Sequence, residues 1–223
     1  MGAPFTALKD QNDVAAKIGG SVFGALHGHI KPLEYGALGH YRTTHRVALV
    51  ATQAANSRLW EIRNPGTNLI IPTRMSVQWL ATGAHTAAIE DSLDLYKVTG
   101  FSAVDTTNTT SPSASVIRGT MAAAPGSAIV RGLTAAGNAA GMTGGTLTKD
   151  TNSLYQLPQW FQATLSTTIV TPASRDFFAE DFGEHPIVLG ANEGLILENR
   201  VLLGAAAASS VYIDFSWAEV TAF

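Results

Sequence analysis

No cysteine occurs in the 223 residues, which excludes disulfide staples, thiolate zinc sites and cysteine nucleophiles and leaves the compartment open. Charge is also scarce: Asp, Glu, Lys and Arg make up 14% of the chain, against about 25% in ordinary soluble domains. With 17 acidic and 14 basic residues the net charge is −3, so the cationic surplus needed to track a phosphate backbone is missing. Long apolar runs are absent too. The longest small-apolar stretch, residues 201–208, falls far short of the roughly 20 residues that cross a bilayer. Residues 1–9 lack a basic segment leading into an apolar one, so no secretory signal is expected. The chain therefore reads as soluble, with neither nucleic acid nor membrane as a direct partner.

Small and hydroxylated side chains fill the place of the missing charges: 34 Ala, 24 Thr and 21 Gly. The length suits one domain with a full core, or one domain with an arm. Residues 1–40 read as that arm. They carry seven glycines, and Val14, Ile18, Val22 and Leu26 recur every four residues, the spacing of one helical face, with Asn12 and Asp13 as caps. Gly19 and Gly20 interrupt the stripe at a cost of up to about 1 kcal/mol each, so the helix is expected only when docked.

From Tyr41 onward the period becomes two, as a sheet with one wet and one dry face requires. Val47 and Leu49 alternate with Arg46 and Ala48; Trp60 and Ile62 alternate with Leu59, Glu61 and Arg63. Met75, Val77, Trp79 and Ala81 share a face opposite Arg74, Ser76, Gln78 and Thr82. Pro72 lacks an amide donor and belongs at a strand start, edge or bulge. Further strands are expected at 89–98, 115–118, 128–133, 164–171, 187–189, 194–199 and 209–220. In the last, Val211, Ile213, Phe215 and Trp217 define a core face. The stretches at about 102–115 and 134–148 have no apolar periodicity and read as long exposed loops. Residues 176–184, aromatic and acidic, read as a helical turn or a loop plugging one end of the core. The fold class is all-β: an antiparallel β-sandwich or jelly roll over residues 41–223, with an extended, partly helical N-terminal arm over 1–40.

An internal echo accompanies this pattern. The segments ending in Asn64 and in Asn199 each precede, by a loop, a long Trp-bearing strand. Asn suits such a strand-ending turn because its side chain bonds neighbouring amides.

Catalytic signatures are weak. The nearest approach to a G-x-S-x-G elbow, Gly19-Gly20-Ser21-Val22-Phe23, ends in Phe and lies in the arm. The glycines at 137–145 lack the strand-before, helix-after context of a phosphate loop and read as a flexible surface loop. His27 and His29, with His40 and His45, supply imidazoles but no convergent set of three or four ligands. Glu180, Asp181, Glu184 and His185 form the densest acidic cluster, without the spaced oxygen ligands of a calcium loop. Asp91, Asp94 and Glu180 are the candidate carboxylates for a glycosidase, with nothing to set them across a cleft. Trp60, Trp79, Trp160 and Trp217 are expected in the core ahead of a sugar platform. No cofactor or metal is implied, and the chain is read as non-enzymatic.

Three blocks carry a resemblance. Gly39-His40-Tyr41-Arg42 leads into an Ala/Thr-rich strand at 47–51; LWEIRNPGTNLIIPTRMSVQW follows, turning at Asn64-Pro65-Gly66; EGLILENRVLLGAAAASSVYIDFSWAEV closes the chain. Over about 41–98 and 187–220 this resembles virion structural proteins of tailed bacteriophages, in particular the jelly-roll cement or decoration proteins on the outside of the head. The resemblance implies a homo-oligomer, a trimer, bound to the major capsid protein and located in the virion after assembly in the host cytoplasm. Val14, Ile18, Val22, Phe23 and Leu26 of the arm would form the capsid or subunit interface. A tail, neck or head-fibre component with 102–115 and 134–148 as the adhesive surface is the alternative. A carbohydrate-binding or carbohydrate-active sandwich is the third reading.

Overall fold

The structure, a computed structural model, describes residues 39–81, 85, 87–116, 125–161, 163, 173–177, 186–204 and 209–221. The expected helical face at Val14, Ile18, Val22, Phe23 and Leu26 and the expected strand at 164–171 lie outside the described residues.

Among the described residues twelve strands form: β1 (Gly39–Leu49), β2 (Ser57–Arg63), β3 (Leu69–Ala81), β4 (Ile89–Ala103), β5 (Thr109–Thr110), β6 (Ser115–Val116), β7 (Ile129–Leu133), β8 (Thr146–Lys149), β9 (Tyr155–Phe161), β10 (Ala173–Phe177), β11 (Gly194–Asn199) and β12 (Ser209–Val220). They make two antiparallel sheets, ordered β10-β3-β12-β1-β6 and β5-β7-β2-β11-β4-β8, with β9 also pairing β4. Leaving out the short strands β5 to β8, each core strand lies in the opposite sheet from the one before it, except that β9 pairs with β4 in the same sheet. The arrangement is an antiparallel β-sandwich, with no helix among the described residues.

The period-two faces explain the core. Val211, Ile213, Phe215 and Trp217 of β12 are buried, while Tyr212 between them is exposed. Met75, Val77 and Trp79 of β3 and Tyr41, Val47 and Leu49 of β1 line the same sheet's inner face. Across the sandwich Trp60 meets Phe215 with centroids 4.8 Å apart, and Phe161 of β9 meets Trp79 edge-on at 4.8 Å. Such tilted aromatic pairs favour the ring quadrupoles in addition to burying area.

Two bulges interrupt the alternation. Opposite Leu197 and Glu198 the register passes from Trp60 to Arg58, which leaves Leu59 unpaired and lets Leu59 and Trp60 both be buried although adjacent. Opposite Ser216 and Trp217 it passes from Arg74 to Pro72, skipping Thr73, so Pro72 sits beside a bulge where its missing amide does least harm.

The segment between β4 and β9 carries the four short strands. Here β6 adds to β1 in one sheet, while β7 adds to β2 and β8 to β4 in the other. Within the stretch read as a loop at 134–148, residues 146–148 belong to β8 and the turns before them fold against the sandwich as a cover. Met142 is buried in the core and bridges Arg58, and Gly141 (φ 71°) turns where a Cβ would come within 2.6 Å of Ser57. Left-handed backbone at that spot needs glycine. Likewise residues 176–177 belong to strand β10, with Phe177 in the core, instead of starting a helical turn or plug.

Candidate functional site

The outer face of the five-stranded sheet is a polar surface. Arg42 of β1 grips Asp214 of β12 with both ends of its guanidinium, and Arg46 lies over the Tyr212 ring at 5.7 Å. An open groove of about 370 Å³ on this face is lined by Thr44, Arg46, Ser76, Gln78, Tyr212 and Asp214, with His45 and Ile213. Its charges pair across neighbouring strands, the sheet counterpart of ion pairs on a helix face.

The outer face of the other sheet is covered. Val98, Phe101 and Ile196 form a second apolar cluster there, against which Tyr96, Val104 and Leu147 pack. Beside it lies a group of buried charges. Glu61 of β2, read from sequence as part of a polar face, is fully buried, and its Oε1 accepts the Asp105 N–H at 2.7 Å. Asp105, also fully buried, accepts the Gly145 N–H at 2.6 Å and faces the Arg58 guanidinium at 3.1 Å. Glu61 Oε2 has no hydrogen-bond partner among the described residues. Burial, and then the Asp105 charge, pushes the Glu61 carboxyl up to about 8. The Glu61 and Asp105 carboxyls and the Arg58 guanidinium together hold the cover onto β2, with burial favouring the protonated form of Glu61. Further along, Lys149 donates to Glu198 at 2.5 Å, and burial raises the Glu198 carboxyl.

Other buried acids do similar work at the ends of strands. Glu219 of β12 accepts the amides of Gly126, Ser127 and Ala128 at 2.8, 3.0 and 2.9 Å, fixing the entry to β7. Asp91 Oδ1 accepts the amides of Ser92, Val201 and Arg200, and burial raises its carboxyl to about 6. Asp94 is bonded by Ser92, Tyr96 and Gln156. Asp91 and Asp94, candidate carboxylates from the sequence, are thus brought into one strand and not across a cleft from one another. Glu180, Asp181, Glu184 and His185 lie outside the described residues.

Of the imidazoles, His27 and His29 are also outside the described residues. His40 and His45, five residues apart on a strand, point to opposite faces. His45 Nε2 donates to the Leu133 carbonyl at 2.8 Å, joining β1 to β7 across the sandwich edge, and burial lowers its pKa. Among the described residues no group of three His, Asp or Glu converges as a metal site. Trp60, Trp79 and Trp217 are fully buried as expected, whereas Trp160 on β9 is 56% exposed. β9 itself went unread, although Tyr155, Leu157 and Phe161 alternate with Gln156, Pro158 and Trp160, and Pro158 suits an edge strand.

These features define a β-sandwich whose buried acids bind its own connecting segments. Comparison with protein-family models, curated proteins and solved structures finds no match for the chain.

Proposed function

We propose that the chain is a non-enzymatic structural subunit of a tailed-bacteriophage virion, a jelly-roll cement or decoration protein on the outside of the head. The order β1-β12-β3-β10 facing β2-β11-β4-β9 supports the jelly-roll reading, with the segment between β4 and β9 as an elaboration of it. One observation carries the functional reading: Glu61, Asp91, Asp105 and Glu219 are all engaged by main-chain amides of connecting segments. Each such bond pins a connecting segment to the sandwich and satisfies a main-chain donor that would otherwise be left unpaired. A body stiffened in this way presents a fixed outline to neighbours, which is what a lattice clamp needs. The subunit assembles as a homotrimer over a capsomer junction, and the arm at Val14, Ile18, Val22, Phe23 and Leu26 reaches the major capsid protein. Multivalent attachment then makes modest contacts cumulative.

Two measurements test this. Light scattering after size exclusion should give a stable homotrimer. Deleting residues 1–30 should leave a folded sandwich that no longer decorates heads lacking the protein. Full occupancy by the truncated chain would overturn the role of the arm, and microscopy placing the chain at the neck or tail would overturn the head assignment.

A further inference from the structure

Trp160 is the exception among the four tryptophans, and its position is informative. It lies on the outward face of β9 with Pro158 and Gln156, opposite Glu90 in register, while Pro158 faces Ser92 and Gln156 faces Asp94 of β4. Glu90, Asp91, Ser92, Gln156, Pro158, Arg200 and Val201 line a groove of about 250 Å³ on this face. Asp91 is 2% exposed. Its Oδ1 is saturated by three amides, yet its Oδ2, equally buried, has no hydrogen-bond partner among the described residues. Asp91 pairs with buried Gln159 in register and its Oδ2 is shut off from solvent, so the polar groups open to the groove are those of Glu90, Gln156 and Arg200.

An exposed indole beside a groove of convergent polar groups has a specific chemical complement. One face of a pyranose ring is a patch of C–H groups that covers an indole, and its edge carries hydroxyls that both donate and accept. Glu90 is an acceptor for those hydroxyls, while the Gln156 amide and the Arg200 guanidinium are donors. Asp94, bonded by Gln156, adds a second carboxyl group to that of Glu90, and two against one guanidinium disfavour an acidic sugar. A protein hot spot would instead present a desolvated, charge-depleted centre. We propose that the groove between β4 and β9, flanked by Trp160, binds an uncharged saccharide, the indole stacking on a pyranose face and Glu90 receiving a hydroxyl. The site is one of binding, not of hydrolysis, and it does not depend on where the chain sits in a virion.

The test uses the full chain and the exposed indole itself. Acrylamide quenching of tryptophan fluorescence is measured with uncharged hexasaccharides of α- and β-linked glucose, mannose, galactose and N-acetylglucosamine, and with a galacturonate hexamer as the charged control. At least one uncharged hexasaccharide should shield the accessible tryptophan saturably. Trp160→Ala should weaken its binding, read by calorimetry, by about tenfold or more, and Gln156→Ala should weaken it severalfold, with the melting temperature of each variant unchanged. Failure of every uncharged hexasaccharide to shield the indole would overturn the proposal, as would undiminished binding by Trp160→Ala or equal binding of galacturonate. Shielding that grows with protein concentration in the absence of sugar would assign Trp160 to a contact between chains and overturn it as well.

Discussion

Glu61 holds its proton more tightly in the folded chain than in the unfolded one, because water is excluded and Asp105 lies beside it. As pH rises, the unfolded chain releases that proton near the ordinary glutamate value and the folded chain only near 8. Stability therefore falls through this window and levels off above it. Asp91 acts in the same sense, from the ordinary aspartate value to about 6. His45 and His85, both lowered by burial, act oppositely: their neutral forms suit the fold, so stability rises as pH climbs toward 6.5. Between about pH 6.5 and 8 the Glu61 contribution stands apart. Glu61→Gln should flatten a loss on the order of 2 kcal/mol across that interval in urea denaturation series, and should match or exceed the native chain above pH 8. An unchanged slope would mean that Glu61 is ionised in the fold. The burial of Glu61 could not be read from its neighbours. Alternation places it opposite Trp60 and Ile62, but what it meets on that outer face is the Asp105 amide, 44 residues along the chain.

Single strands were legible where one face is apolar. The ranges read for β11 and β12 coincide with the observed Gly194–Asn199 and Ser209–Val220. The echo between the Asn64 and Asn199 segments also has a spatial meaning, since β2 pairs with β11 and β3 with β12. Both asparagines are fully buried and tie turns. Asn64 donates to Leu189 O and accepts the Gly66 N–H, while Asn199 donates to Ala54 O and Val201 O. Of the short strands, β6 and β7 fall within the ranges read at 115–118 and 128–133, whereas β5 and β8 escaped because their apolar content is too low for periodicity to show; these two are strands because β7 and β4 offer them edges. The joint between elements is also where single changes matter most. Glu219→Ala strands three amides before β7 and removes a buried charge-assisted cluster, so it should cost about 2–4 kcal/mol in urea denaturation. The loss should appear with an unaltered urea dependence, since the rest of the sandwich still folds.

At the scale of the whole molecule, the first described strand and the last are neighbours: Gly39 faces Glu219 and Leu49 faces Ser209. β12 also pairs β3 along its length, so it sits in the middle of its sheet. Ending the chain after residue 208 would strip the partner from both β1 and β3 and remove Val211, Ile213, Phe215 and Trp217 from the core. That truncated chain should lose its near-ultraviolet dichroism and cooperative melting. A cooperative transition in it would mean that the two sheets hold together without their central strand. Closure over such a separation also predicts slow refolding, in the range of milliseconds to seconds or longer.

The amino-acid order by itself determined that the chain is all-β over its larger part, which residues of β3 and β12 face inward, and that Asn64 and Asn199 end strands. Those properties are local, set by a period of two and by side-chain bonds to amides a few residues away. Only the tertiary structure decided that the glycine-rich middle is a cover, that Glu61 and Asp105 meet beneath it, and that Trp160 alone among the tryptophans faces water. Each of these depends on segments far apart in the chain arriving at one place, and alternation within a strand carries no information about what lies over its outer face.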